Sequence, residues 1–191
     1  MKLPVRDTVR HTYADYASWP DDERWELIDG IAYAMVPAPS RLHQEVVLEL
    51  ARQIANALLG SRCRAYVAPF DVRLARPNET DDQIENVVQP DVSVICDPSK
   101  LDERGCRGAP DWVIEVLSPN TAAHDQIRKR DLYERHGVRE FWLVHPSDRL
   151  VMVYVLKHVT YGRPMVRELE GELESTAVRG VKVDLSRLVR A

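Results

Sequence analysis

The run Trp-Val-Ile-Glu-Val-Leu at residues 112–117 sets the tightest limit on how this chain folds. Val113 and Leu117 point one way along an extended strand, and Ile114 and Val116 point the other, so the strand is apolar on both faces. Such a strand belongs inside a sheet that is covered above and below. Glu115 breaks the pattern. It shares the face of Val113 and Leu117, where an ionised carboxylate is costly unless it is paired, hydrogen-bonded or bound to a metal. Two readings stand side by side: a buried ion pair with an Arg or Lys, or a functional carboxylate.

The neighbouring segments supply the cover. Ser40 is a plausible N-cap for a helix reaching about Leu59, with Gly60 as its stop. On a helical wheel Val47, Leu50, Ala51, Ile54 and Leu58 share one face with His43, which reads as a core histidine or a catalytic one. A second helix is expected over 122–136. There Ala122, Asp125, Lys129, Leu132, Tyr133 and His136 share one side, and Arg128, Arg130, Asp131, Glu134 and Arg135 occupy the other, with Ile127 the apolar exception. Lys129 thus faces the sheet with Leu132 and Tyr133. An i,i+4 pair with Asp125 is the plain alternative.

Strands are expected at WELI-DG-IAYAM, a hairpin turning on Asp29-Gly30, and at 64–75, interrupted near Pro69. Others are expected at VVQPDVSVIC, DWVIEVLS, EFWLVHP and LVMVYVL. A short helix fits residues 12–18, the segments 76–86 and 97–110 read as loops, and weak strands and a turn near 185–189 end the chain. Helices interleaved irregularly with strands point to an α+β (mixed α/β) fold: a central mixed sheet flanked by helices, with additional hairpins. The 191 residues fit a single domain, 1–191, with residues 1–20 as an N-terminal extension carrying the short helix.

Composition narrows the function. A net charge of −4 argues against a protein that coats nucleic acid through charge alone, yet leaves room for a local basic patch. Arg104, Arg107, Arg128 and Arg130 are the candidates for touching phosphates. Cys63, Cys96 and Cys106 lack C-x-x-C spacing and read as reduced structural cysteines. No apolar run is long enough for a membrane helix, and the first residues show no secretory h-region, so the expected compartment is cytoplasmic. Phosphate loops, H-E-x-x-H and nucleophile elbows are absent, and no organic cofactor is expected. Asp91, after Pro90 at the mouth of VSVIC, is a common turn residue by itself. Beside Glu115 it offers a second hard oxygen ligand of the kind Mg²⁺ prefers.

WELIDG at 25–30, the helix carrying His43, QPDVSVICD at 89–97, GAPDWVIEVLSPNT at 108–121, Asp125, Lys129 and Tyr133, and GVREFWLVHP at 137–146 occur in one order. In that order the chain resembles the Uma-type putative restriction endonuclease family of the PD-(D/E)XK nuclease superfamily over roughly 25–188. The resemblance implies a restriction-endonuclease-like core, with Asp91 and Glu115 as the acidic pair. The usual superfamily lysine would stand at Leu117, and Lys129 is its displaced counterpart. Glu26, His43, Asp125 and Tyr133 are implied as accessory residues. The chain departs from the family pattern at Ile31, Asn120 and His145, none of them in the proposed ligand set.

The function expected is therefore a Mg²⁺- or Mn²⁺-dependent endonuclease acting on DNA, with metal on Asp91, Glu115 and the Val116 carbonyl. Lys129 would act as base, position the water, or pair with phosphate. A homodimer is expected from the habit of nucleases that cut duplexes. The competing expectation is a catalytically inactive nuclease fold serving as a nucleic-acid or protein interaction module.

Overall fold

The computed structural model describes residues 6–20, 23–35, 40–117 and 122–189, with side chains from 128 onward in the last segment. Helix α1 (Tyr13–Tyr16) precedes strands β1 (Trp25–Ile28) and β2 (Ile31–Ala34), and α2 (Arg41–Ala57) follows. Then come β3 (Arg64–Val67), β4 (Val72–Arg73), β5 (Val87–Val88), β6 (Val92–Ile95), β7 (Leu101–Asp102), β8 (Gly105–Arg107) and β9 (Trp112–Val116). Helix α3 (Ala122–His136) leads to β10 (Glu140–His145), β11 (Leu150–Val155), β12 (Met165–Glu168), β13 (Glu172–Glu174), β14 (Lys182–Asp184) and a closing 3₁₀ turn at Leu185–Arg187.

The main sheet runs β12-β11-β10-β9-β6-β3. It is mixed, because β9 and β10 pair in parallel while its other neighbours are antiparallel. Strand β9 is interior, with Trp112, Val113 and Ile114 fully buried, as its two apolar faces require. Helix α2 covers one face. Its Val46, Leu50 and Ile54 meet Val92, Val94, Trp112, Ile114 and Trp142. The other face, carrying Val113, Phe141 and Leu143, meets Leu132 and Tyr133 of α3 and a second sheet, β2-β1-β5-β4-β8-β7. The outer side of that second sheet packs Leu27, Ala32, Ile84 and Val87 against Tyr13 of α1. This is the α+β class expected.

Helix α3 is the crossover between the parallel neighbours β9 and β10, which forces it back across the sheet above β9. Ser40 caps α2 by accepting from the His43 N–H at 3.2 Å. The β1–β2 turn places Asp29 at φ 51° and Gly30 at φ 76°. Positive φ at both central residues is the type I′ pattern that suits a tight hairpin.

Several expectations require correction. VVQPDVSVIC is not one strand: β5 lies in the second sheet and β6 in the main one, with Gln89-Pro90-Asp91 as the corner between them. Pro90 lacks the N–H that would continue a ladder. The 64–75 run divides likewise, since β3 and β4 belong to different sheets on either side of Pro69. The segment 97–110 carries the small hairpin β7–β8, and α1 spans only four residues. Cys63 and Cys96 are joined in a disulfide rather than reduced. They flank the Arg64–Ile95 pair of β3 and β6, so strand register brings them together. Cys106 is free and buried.

Candidate active site

The corner at Gln89-Pro90-Asp91 delivers Asp91 to the end of β6. Val92 pairs with Ile114 in the antiparallel β6–β9 ladder, so the next step places Asp91 opposite Glu115. Asp91 Oδ2 accepts the Val116 N–H at 2.7 Å and lies 3.2 Å from His43 Nε2. The carboxylate is thereby fixed by the neighbouring strand β9 and by the first turn of α2. His43 is buried, and its Nδ1 has no hydrogen-bond partner among the described residues. Burial pulls the imidazole pKa down, but the hydrogen bond and charge of Asp91, with the charge of Glu115, outweigh it and leave it raised.

Glu115 points towards α3. Its Oε1 accepts from Tyr133 Oη at 2.6 Å and from Lys129 Nζ at 3.2 Å. Lys129 Nζ also lies 2.9 Å from Glu26 Oε1 on β1. Tyr133, Lys129 and Glu26 are buried, and the Glu115 side chain is 12% exposed. Burial pushes the Glu115 carboxyl up to about 7; Lys129 opposes the rise, and the charges of Asp91 and Glu26 add to it. Glu26 is held in turn by the Gln89 backbone N–H at 2.9 Å. The corner that presents Asp91 therefore also anchors the opposite carboxylate.

Gln89 and its side-chain partners carry no sequence signal of their own beyond the place of Gln89 in the QPD motif. The Gln89 side chain donates to Asp71 at 2.8 Å and accepts from Arg24 at 2.7 Å, while Tyr16 donates to Asp71 at 3.0 Å. This network ties α1 and the second sheet to the corner.

The structure thus brings Glu26, His43, Asp91, Glu115, Lys129 and Tyr133 into one connected cluster. The side chain of Asp125 lies outside the described residues. Of the four arginines, Arg107 donates to Asp81 at 2.6 Å and to the Glu79 carbonyl, and Arg104 lies 3.6 Å from Asp81. Arg130 pairs with Asp131 at 2.8 Å and Glu134 at 3.5 Å. Arg128 reaches the Tyr33 hydroxyl on β2.

The donor set suits a divalent cation. Among the described residues Asp91 Oδ2 and Glu115 Oε1 take the hydrogen bonds, and Asp91 Oδ1 and Glu115 Oε2 take none. Above the pH at which Glu115 ionises, the carboxylates Glu26, Asp91 and Glu115 outnumber Lys129 and a protonated His43. Among the described residues no three His, Cys, Asp or Glu side chains form a metal cage. Mg²⁺ does not need one, because it keeps several waters and commonly takes only one or two carboxylates.

Comparison with known proteins identifies the fold and the family. An uncharacterized protein of Synechocystis sp. is 31% identical over 135 residues, covering 70% of this chain and 67% of that protein. The fold matches the crystal structure of a putative nuclease belonging to DUF820 from Anabaena variabilis, at TM-score 0.71 and 21% identity. That match covers 93% of this chain and 99% of the other, and at this identity it speaks for the fold. Residues 13–186 match the model of the Uma2 family, described as "Putative restriction endonuclease". The chain belongs to the Uma2 family.

Proposed function

We propose that the chain is a Mg²⁺- or Mn²⁺-dependent endonuclease that hydrolyses DNA phosphodiester bonds. The observation that carries the reading is the juxtaposition of Asp91, at the start of β6 and bonded to the Val116 N–H, with Glu115 of β9, and of Lys129 between Glu115 and Glu26. Asp91, Glu115 and the Val116 carbonyl would hold the metal. A metal held there activates a water and offsets charge developing on the scissile phosphate.

The chain's own groups set up that chemistry. The Val116 N–H and His43 hold one oxygen of Asp91 and, among the described residues, leave the other available. Tyr133 and Lys129 do the same for Glu115. Two carboxylates fix the Lys129 Nζ, and in this reading it positions or deprotonates the attacking water or pairs with a phosphate oxygen.

The test is cleavage of plasmid and single-stranded DNA with Mg²⁺ or Mn²⁺, comparing wild type with Glu115→Ala. The reading expects metal-dependent cleavage that the substitution abolishes. Equal cleavage by the variant identifies a contaminant and removes the assignment. The competing reading, an inactive interaction module, draws on the net charge of −4. It expects no metal affinity and no effect of Lys129→Ala.

A further inference from the structure

Among the described residues, three side chains of helix α3 meet the β1–β2 hairpin. Lys129 pairs with Glu26, and Arg135 donates to Asp29 at 2.9 and 3.1 Å. Arg128 differs from both. Its guanidinium donates to the Tyr33 hydroxyl and lies 5.0 Å from the Tyr33 ring centroid. Among the described residues it has no carboxylate partner, whereas Arg104, Arg107, Arg130 and Arg135 all do. Tyr33 is the cross-strand partner of Glu26, so this cation, without a carboxylate partner among the described residues, is fixed directly beside the acidic cluster. Arg128 and Tyr33 are both partly exposed.

An arginine beside a carboxylate cluster ordinarily collapses onto a carboxylate. Here a neutral hydroxyl and an aromatic face hold the guanidinium instead, which preserves its full charge and most of its donors for an external anion. We infer that the Arg128–Tyr33 couple is a phosphodiester-binding subsite for the nucleic-acid strand, with Arg128 as the phosphate ligand and Tyr33 as its positioning residue. The inference rests on the nuclease reading and adds to it the place where the backbone beside the scissile bond is held. Contacts of this kind carry no sequence information. The subsite therefore contributes affinity and register uniformly across sequences.

The experiment is fluorescence anisotropy with labelled single-stranded and duplex DNAs, without divalent metal, over a range of salt concentrations. The proteins are wild type, Arg128→Ala, Arg128→Lys, Tyr33→Phe and Arg52→Ala. Arg52 lies on the outer face of α2, paired with Glu49, and its substitution is the surface-charge control. Arg128→Ala is expected to weaken binding roughly tenfold on unrelated sequences and to reduce the slope of log K against log salt by about one. Arg128→Lys is expected to keep the slope and lose part of the affinity. Tyr33→Phe, which keeps the ring and removes the hydroxyl, is expected to weaken binding a few-fold. Arg52→Ala is expected to change neither quantity. An unchanged slope and affinity in Arg128→Ala overturns the subsite while leaving the nuclease reading in place. Absence of DNA binding by the wild-type protein, together with absence of cleavage, overturns both.

Discussion

Glu115 is predicted to cost the metal-free protein stability, and Glu115→Gln is predicted to recover it. The Glu115 carboxyl is raised from its ordinary 4.5 to about 7, by burial first and then by Asp91 and Glu26, against the pull of Lys129. Between those two pH values the folded protein keeps a proton that the unfolded chain has released. Stability therefore falls as pH rises through that window and levels off above it. At roughly 1.4 kcal/mol per pH unit the loss is about 3 kcal/mol. The neutral amide of the Glu115→Gln variant would still accept from Tyr133, and Lys129 would keep Glu26. In EDTA at about pH 8 the variant should therefore melt above wild type, by roughly 5–10 °C for a chain of this size. Near pH 4.5, the ordinary carboxyl value, the two should nearly coincide. The assay is thermal and urea unfolding of both proteins across that range of pH and above it. Parallel stability profiles, or a variant less stable on the alkaline side, would refute the reasoning.

Glu140 is a different kind of buried carboxylate, and its removal should be destabilising. It accepts from Trp142 Nε1 at 2.6 Å, Ser175 Oγ at 2.8 Å, Thr176 Oγ1 at 3.0 Å and the Ala177 N–H at 2.7 Å. Glu140→Ala strands those donors and is expected to cost roughly 3–5 kcal/mol in urea unfolding, without altering Mn²⁺ affinity. His136, at the end of α3, is pushed down to about 4 by burial and by the charges of Arg135 and Arg76. Its neutral form is the folded one, so stability is complete above the unfolded value of 6.5 and is lost as pH falls towards 4. The contribution is at most about 3 kcal/mol. His136→Gln should flatten that acid limb, and an unchanged limb would show that burial is not the cause.

Glu115 and Lys129 were legible in the sequence because each violates a local pattern. A glutamate has no place on an apolar strand, and one face of α3 combines a lysine with Leu132 and Tyr133. Asp91 was legible only as the companion of Glu115, and Glu26 only through the resemblance, since a four-residue strand has too little periodicity to set one residue apart. The split of VVQPDVSVIC escaped notice because alternating apolar residues reveal a strand without revealing its sheet. Strands β7 and β8, two and three residues long, leave no pattern to read. The Cys63–Cys96 pairing depends on the β3–β6 register, which cysteine spacing does not encode. The Gln89 network joins residues up to 73 positions apart, and only the folded chain assembles them.

The central claim is that Asp91 and Glu115 form a cation site. Calorimetric titration of Mn²⁺ into wild type, Asp91→Ala and Glu115→Gln, above the pH at which Glu115 ionises, tests it most directly. The account predicts one site in wild type and none in either variant. Absence of binding in wild type, or binding that survives Asp91→Ala unchanged, would contradict it.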